Sequence, residues 1–290
     1  MRIKTYLGAA ALLLASIAQA ATPLVKSGET VAFMGDSITQ QGAAGPGGYV
    51  NLVASGLAAN GVDIKLLPVG ISGNKSDQML ARLNGQVIAK KPQWMTLSCG
   101  VNDVWHGERG AGISLEDYKK NITEIVDRCA AAGVNVVILT ATQINLPVTN
   151  SLNTKLVAYN DFLRQLAAER KLPLADLNAD MFAAQEALKA AGIKRLLTGD
   201  GVHMNIYGNL MMAKGVLRAF GLDDAQIATA EAKWSEIPGT FQANSKVKLT
   251  LNELESLEAI AAKKNTTVDN LIGDISTAAV KASLADKSGK

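Results

Sequence analysis

Aromatic side chains are scarce: Phe, Tyr and Trp together make up 4% of the 290 residues. So few rings argue against a stacking platform for nucleic-acid bases. Excess charge of one sign is lacking too. Lys and Arg number 29 against 26 Asp and Glu, a formal net charge of +3 with no basic tract. Such a weak field points to no polyanionic partner. Cysteine and histidine occur twice each. Cys99 and Cys129 have no metal-type spacing to each other or to a histidine, so no metal site is expected. Two readings of the cysteines stay open. Export would permit a disulfide. Two buried thiols fit equally, because Cys99 ends an apolar run and Cys129 lies in a helical pattern.

Apolar length is confined to the N-terminus. Met1-Arg2-Ile3-Lys4 supplies positive charge, an apolar run from Tyr6 to Ile17 follows, and Ala18-Gln19-Ala20-Ala21 closes the segment. This is the order of a secretory signal peptide cut after Ala20, and the run is short for a membrane anchor. Residues 1–20 are therefore expected to be a leader, and the chain to be exported to the periplasm or beyond a bacterial cell. No later segment has the unbroken apolar length of a membrane span. The remaining chain, 48% hydrophobic overall, suffices for one sizeable domain with some length left over.

Five short β-type runs stand at intervals: Thr30 to Met34, Asp63 to Val69, Trp94 to Cys99, Val134 to Thr140 and Leu172 to Leu177. They barely alternate between apolar and polar, as strands buried on both faces do. Helical patterns lie between and after them: Tyr49 to Ala59, a segment opened by Ser114 and closed at Ala132-Gly133, Leu152 to Arg170, and Ile206 to Phe220. Strands alternating with helices predict an α/β fold with a parallel sheet covered on both faces. Ligands in such folds sit at the carboxyl ends of the strands.

The pattern changes near Asp223, so a first domain over residues 21–222 and a helical extension over 223–290 are expected. Val247 to Leu251 reads as a short strand, and Asn252 to Lys264 and Val268 to Ser283 as helices. That order loosely resembles a ribbon-helix-helix module. Balanced charge and expected export argue against DNA as its partner, leaving a helical appendage or an oligomerisation element. The sequence does not specify the oligomeric state.

Serine attacks an ester at neutral pH only when a base takes its proton and a further group orients that base. Donors must also face the oxyanion. Ser37, in Gly35-Asp36-Ser37-Ile38-Thr39, directly follows the first strand, and Gly35 permits a sharp turn. His203 ends Asp200-Gly201-Val202-His203, where the Asp can fold back to accept the Nδ1 proton and leave Nε2 for a serine. The second strand leads into Gly73, whose lack of a side chain lets a backbone N–H face a ligand. The third leads into Gly100-Val101-Asn102-Asp103, which offers a side-chain amide. Each segment alone reads as an ordinary turn. All four in this order, at strand ends and in one late loop, argue for a shared site.

These segments resemble the conserved blocks of the SGNH (GDSL-type) hydrolase family. Gly35-Asp36-Ser37 is similar to the first block, Gly73 to the glycine of the second, Gly100-Val101-Asn102-Asp103 to the G-x-N-D block, and Asp200 to His203 to the D-x-x-H block. The likeness runs from about Thr30 to Phe220. It implies a triad of Ser37, His203 and Asp200, and an oxyanion hole from the Ser37 and Gly73 backbone N–H groups and the Asn102 amide. It further implies a flavodoxin-like three-layer α/β/α fold on a five-stranded parallel sheet, with neither metal nor organic cofactor. The segment departs from the G-x-S-x-G elbow of α/β-hydrolases, since Thr39 stands where the second glycine would be.

The function such a resemblance implies is hydrolysis of carboxylic esters through an acyl-serine. Export and a Trp105-His106 pair beside the third block favour acetyl groups on carbohydrate as substrate. A lipase or lysophospholipase of the same family is the alternative, and would want an apolar groove. An inactive carbohydrate-binding protein is the reading from another class. The glycine-rich segment from Gly42 to Gly48 lacks the ending of a P-loop and reads as a loop beside the site. Asn74-Lys75-Ser76 is a glycosylation sequon by pattern, but a glycan there would crowd the site.

Overall fold

A computed structural model describes residues 21–147, 149–193, 196–237, 247 and 250–288. The expected leader, residues 1–20, lies outside the described residues. Five strands form one parallel sheet: β1 (Thr30–Gly35), β2 (Lys65–Gly70), β3 (Trp94–Ser98), β4 (Asn135–Leu139) and β5 (Leu174–Ala175), in the order β2-β1-β3-β4-β5. Register is set by pairs such as Phe33 with Pro68 and Thr96, and Leu97 with Ile138. The helices are α1 (Ser37–Gly42), α2 (Tyr49–Ala59), α3 (Ser76–Gln86), α4 (Val101–Trp105), α5 (Leu115–Ala131), α6 (Ser151–Arg170), α7 (Leu177–Ala190), α8 (Ile206–Ala219), α9 (Asp224–Ser235), α10 (Leu251–Lys263) and α11 (Val268–Ser288).

The strand side chains explain the three layers. Successive residues point to opposite faces. Val31, Phe33, Val137 and Leu139 enter one apolar cluster with the buried faces of α2, α7, α8 and α9. Ala32, Met34, Val136 and Ile138 enter a second cluster with α3, α5 and much of α6. The three inner strands, β1, β3 and β4, are therefore dry on both faces, which accounts for their continuous apolar runs. β2, at one edge, is only partly buried. The fold is the expected α/β/α sandwich on a five-stranded parallel sheet. The fifth strand is shorter than its apolar run, because Asp176 caps α7 by accepting from the Ala179 N–H and turns the chain out of the sheet.

The chain divides into two compact units, residues 1–241 and 242–290. The boundary expected at 222/223 falls too early. Helix α9 belongs to the first unit: Ile227, Ala230 and Trp234 are buried, and the Trp234 indole N–H donates to the Leu52 carbonyl at 2.9 Å. Gly56 of α2 allows this close crossing, since a side chain there would meet Leu217, Ala230 and Trp234. The second unit contains α10 and α11. Thr250 and Glu253 form a capping box at the start of α10, and Leu251 lies inside that helix. The expected strand from Val247 to Leu251 is thus not formed at its end, and residues 248–249 lie outside the described ones. Among the described residues, no helix is long and apolar enough to cross a membrane.

Candidate active site

All four motif segments follow the architecture to the carboxyl edge of the sheet or the loop before α8. β1 ends at Gly35, and Asp36 caps α1 by accepting from the Ile38 N–H at 2.9 Å. Ser37 is thereby the first residue of α1, where helix geometry leaves its own N–H without an intrahelical acceptor. Gly35 is required for a reason other than a turn of unusual handedness. A side chain there would overlap Thr39 and approach the Ser98 carbonyl. Thr39 is itself fixed by a 2.8 Å hydrogen bond with the buried Tyr49 hydroxyl.

The loop before α8 closes on itself. Thr198 pairs with Met204, and the Gly199 N–H donates to the His203 carbonyl at 2.9 Å. Gly201 sits at φ +95°, a conformation that favours glycine. The turn brings Asp200 Oδ1 under the backbone N–H groups of Val202 (3.0 Å) and His203 (2.7 Å). Asp200 Oδ2 then accepts from His203 Nδ1 at 2.6 Å, and His203 Nε2 lies 2.9 Å from Ser37 Oγ. Because an ionised carboxylate can only accept, Nδ1 carries the proton and Nε2 presents its lone pair to the Ser37 hydroxyl. Burial pushes the Asp200 carboxyl up, but the His203 ring and the two backbone N–H groups outweigh it and hold the carboxyl at about 2. It is therefore ionised at neutral pH. The Gln143 amide donates to the Gly201 carbonyl at 3.0 Å and steadies the turn.

The other two segments meet beside Asp36. Asn102, in the first turn of α4, is buried, and its Nδ2 donates to Asp36 Oδ2 and to the Asn74 carbonyl, both at 3.2 Å. That second bond ties α4 to the loop holding Gly73, which has φ +76° and open space where a side chain would be. Ser72 N–H donates to the Gln40 side chain at 2.8 Å, fastening the same loop to α1. Hydroxyl, imidazole, carboxylate and a side-chain amide are thus assembled from segments far apart in the chain.

Asp36 is the unusual group at this site. Burial pushes its carboxyl up to about 6 from an ordinary 3.8, with the Asp103 charge adding to the rise and the Ile38 N–H opposing it. The folded chain therefore binds this proton more tightly than the unfolded one. The stability that the proton confers is complete below about pH 4 and lost as pH rises through 6. Asp36→Asn should remove this pH-dependent contribution, so that its effect on the unfolding free energy is more favourable at pH 8 than at pH 4 by up to about 3 kcal/mol. That difference stands over a pH-independent cost, because the new amide nitrogen must face the Ile38 N–H or Asn102 Nδ2. Urea titrations at the two pH values check this, and equal effects at both would contradict it.

Asp103 is turned toward α3. It accepts from the Ser76 N–H at 3.0 Å and from the Cys99 thiol at 3.4 Å. Cys99 and Cys129 are both free and buried, which decides between the two readings of the pair. The 42–48 segment is a tight connection: Asn51 Nδ2 donates to the Ala43 and Gly45 carbonyls, and a side chain on Gly48 would overlap the Gly42 backbone. Trp105 packs half-buried against the first core cluster, with the His106 ring tilted 6.3 Å from it. Residues unsuspected from the sequence also shape the site, namely Gln40, Gln143 and Arg82. Each bonds a loop by its side chain, and a long polar side chain in a helix or loop looks the same in sequence whether or not it does so.

Fold and site together define the class: the protein is a carboxylic ester hydrolase. The family model of the GDSL-like lipase/acylhydrolases matches residues 33–210, and the chain belongs to that family. It is similar to an acetylxylan esterase of Geobacillus stearothermophilus, with 28% identity over 69% of this chain and 97% of the relative. The solved structure of that enzyme superposes with a TM-score of 0.61 over the same shares. An acetyl xylan esterase, AlAXEase, is 31% identical with a TM-score of 0.61, over 66% of this chain and 98% of its own. Esterase TesA of Pseudomonas aeruginosa is 27% identical over 60% of this chain and 79% of its length.

Proposed function

We propose that this esterase removes acetyl groups from carbohydrate through an acyl-serine intermediate on Ser37. The observation that carries the chemistry is the row from Ser37 Oγ to His203 Nε2 (2.9 Å) and from His203 Nδ1 to Asp200 Oδ2 (2.6 Å). Ser37 Oγ attacks the ester carbonyl carbon while its proton passes to His203 Nε2. The carbonyl π pair moves onto oxygen, facing the Ser37 and Gly73 N–H groups and Asn102 Nδ2. Collapse expels the alcohol, which takes the proton from His203. Water repeats the sequence on the acyl-serine and releases the carboxylic acid. Asp200 holds the imidazole in the required tautomer throughout. Both Asn102 Nδ2 bonds are long at 3.2 Å, so the proton facing Asn74 can be shared with the oxyanion while the tie to the Gly73 loop is kept.

Support for the substrate comes from the relatives, two of which are acetylxylan esterases aligned over nearly their whole length. Two solved structures of the Geobacillus stearothermophilus enzyme are described as catalytic mutants, one serine-to-alanine and one aspartate-to-alanine, in keeping with Ser37 as nucleophile and Asp200 as the imidazole's partner. The leader-like residues 1–20 support action outside the cytoplasm, where polymeric carbohydrate is met.

A second reading, action on longer acyl chains, is favoured by one feature. A crevice of about 590 Å³ is lined by Leu146, Leu188, Ile193, Leu196 and Leu197, and shares Gln143 with the His203 loop. Aryl esters of rising chain length separate the two. The kcat/KM for acetate should exceed that for octanoate by at least about tenfold, the worth of a few badly placed methylenes. A preference for chains of eight or more carbons would transfer the assignment to the second reading.

A further inference from the structure

Arg82 lies in α3, half-buried, and donates to four oxygens, three of which belong to the site's loops or the strands beneath them. Nε reaches Asn74 Oδ1 at 2.7 Å, and one terminal nitrogen reaches the Val69 carbonyl and Gln86 Oε1, both at 2.7 Å. The other terminal nitrogen reaches the Gly35 carbonyl at 2.9 Å. Gly35 ends β1 two residues before Ser37, Val69 lies near the end of β2, and Asn74 follows Gly73 directly. Through the Asn74 carbonyl, which accepts from Asn102 Nδ2, the same chain of bonds extends to the third segment.

Every acceptor is a neutral carbonyl or amide oxygen, and Arg82 makes no ion pair among the described residues. Burial disfavours its charge. A planar fork is suited to the position, because the guanidinium holds five donors in one fixed plane and reaches all four oxygens, whereas an ammonium on a flexible stem has three donors.

The geometry points to Arg82 as a positioning residue that fixes the loop carrying the Gly73 N–H, and with it the Asn102 amide, relative to Ser37. This rests on the proposed roles of Ser37, Gly73 and Asn102. Donors that stabilise a transition state act only if they are in place before charge develops, so a loosened loop lowers turnover without weakening substrate binding in proportion. The sequon asparagine, Asn74, serves as the loop's handle, with its side chain turned to Arg82 and its carbonyl to Asn102.

The test uses the full chain, p-nitrophenyl acetate, and the variants Arg82→Met, Arg82→Lys, Arg82→Ala and Ser37→Ala. Thermal melts of each variant give the folded fraction, and kcat is expressed per folded molecule, because unfolded protein would also depress turnover at constant KM. On that basis Arg82→Met should lower kcat by about tenfold to a hundredfold with KM changed less than about threefold. Arg82→Lys should fall between it and the wild type. Methylguanidinium at concentrations harmless to the wild type should restore part of the kcat of Arg82→Ala. A kcat per folded molecule within about twofold of wild type in Arg82→Met overturns the assignment. So does a loss that follows the folded fraction and is not relieved by methylguanidinium. A wild type no faster than Ser37→Ala would instead remove the reading of the site on which the assignment rests, so the two failures are told apart.

Discussion

Ser37→Ala should abolish ester hydrolysis, lowering kcat on the order of 10⁴ to 10⁶-fold, and His203→Ala should come close to it. The size follows from the covalent role. The hydroxyl bonded to His203 Nε2 is that of Ser37, so on the proposed mechanism its removal takes away the nucleophile itself. Without the imidazole, Ser37 must lose its proton to water, and its nucleophilicity collapses. Near-equality of the two losses, and of the double variant with either, would mark them as parts of one machine. A fluorophosphonate probe gives an independent reading. One adduct is expected by mass, located on Ser37 and missing from His203→Ala. Hydrolysis by Ser37→Ala at the wild-type rate, or an adduct on another serine, would sink the assignment. An absence of any adduct on folded protein would favour the inactive carbohydrate-binding alternative.

The second large effect is expected at Asn102. Asn102→Ala should cost a hundredfold or more in kcat, in the range found when one side-chain oxyanion donor is removed. It should also have a consequence for stability that a pure oxyanion donor would not. Asn102 Nδ2 is one of the groups that keep the buried Asp36 carboxylate supplied with hydrogen bonds. Its loss leaves Oδ2 without that donor, at about 1 to 3 kcal/mol for a buried unsatisfied group, more when charged. Burial already raises Asp36 to about 6. The destabilisation should therefore be larger at pH 8, where Asp36 is ionised, than at pH 5, where it is mostly protonated. Denaturant titration at the two pH values and initial rates at pH 8 check the two halves separately. A variant with normal kcat would remove Asn102 from the oxyanion hole, and a pH-independent destabilisation would remove its link to Asp36.

Legibility in the sequence is uneven for physical reasons. The inner strands β1, β3 and β4 stand out because both of their faces are dry, which leaves an unbroken apolar run at each. Leu172 to Leu177 looks equally apolar but contributes only Leu174 and Ala175 to the sheet, since capping of α7 by Asp176 competes for the same residues. Helices α2, α5, α6 and α8 carry long periodic faces. Helices α1 and α4, with six and five residues, are too short for any period to register. Helix α9 looks like part of an extension because its polarity resembles that of the tail. Only its packing through Trp234 and Ala230 on α2 places it in the first unit.

What the sequence determined by itself was the inventory: a serine after the first strand, an Asp-x-x-His in a late loop, an Asn after the third strand, and the family those segments resemble. Residue type and local order are enough for that, because strand ends and turns are local events. Tertiary structure alone decided which groups meet and in what state. Ser37 and His203 are 166 positions apart and stand 2.9 Å from each other. Asp36 holds its proton to about pH 6 chiefly because packing has removed water from it and has brought the Asp103 charge near. The Cys99 thiol donates to Asp103 instead of pairing with Cys129. Arg82 gains three of its four acceptors only when β1, β2 and the Gly73 loop converge on α3. Distance between remote segments and exclusion of water are products of packing, and no local pattern of residues encodes either.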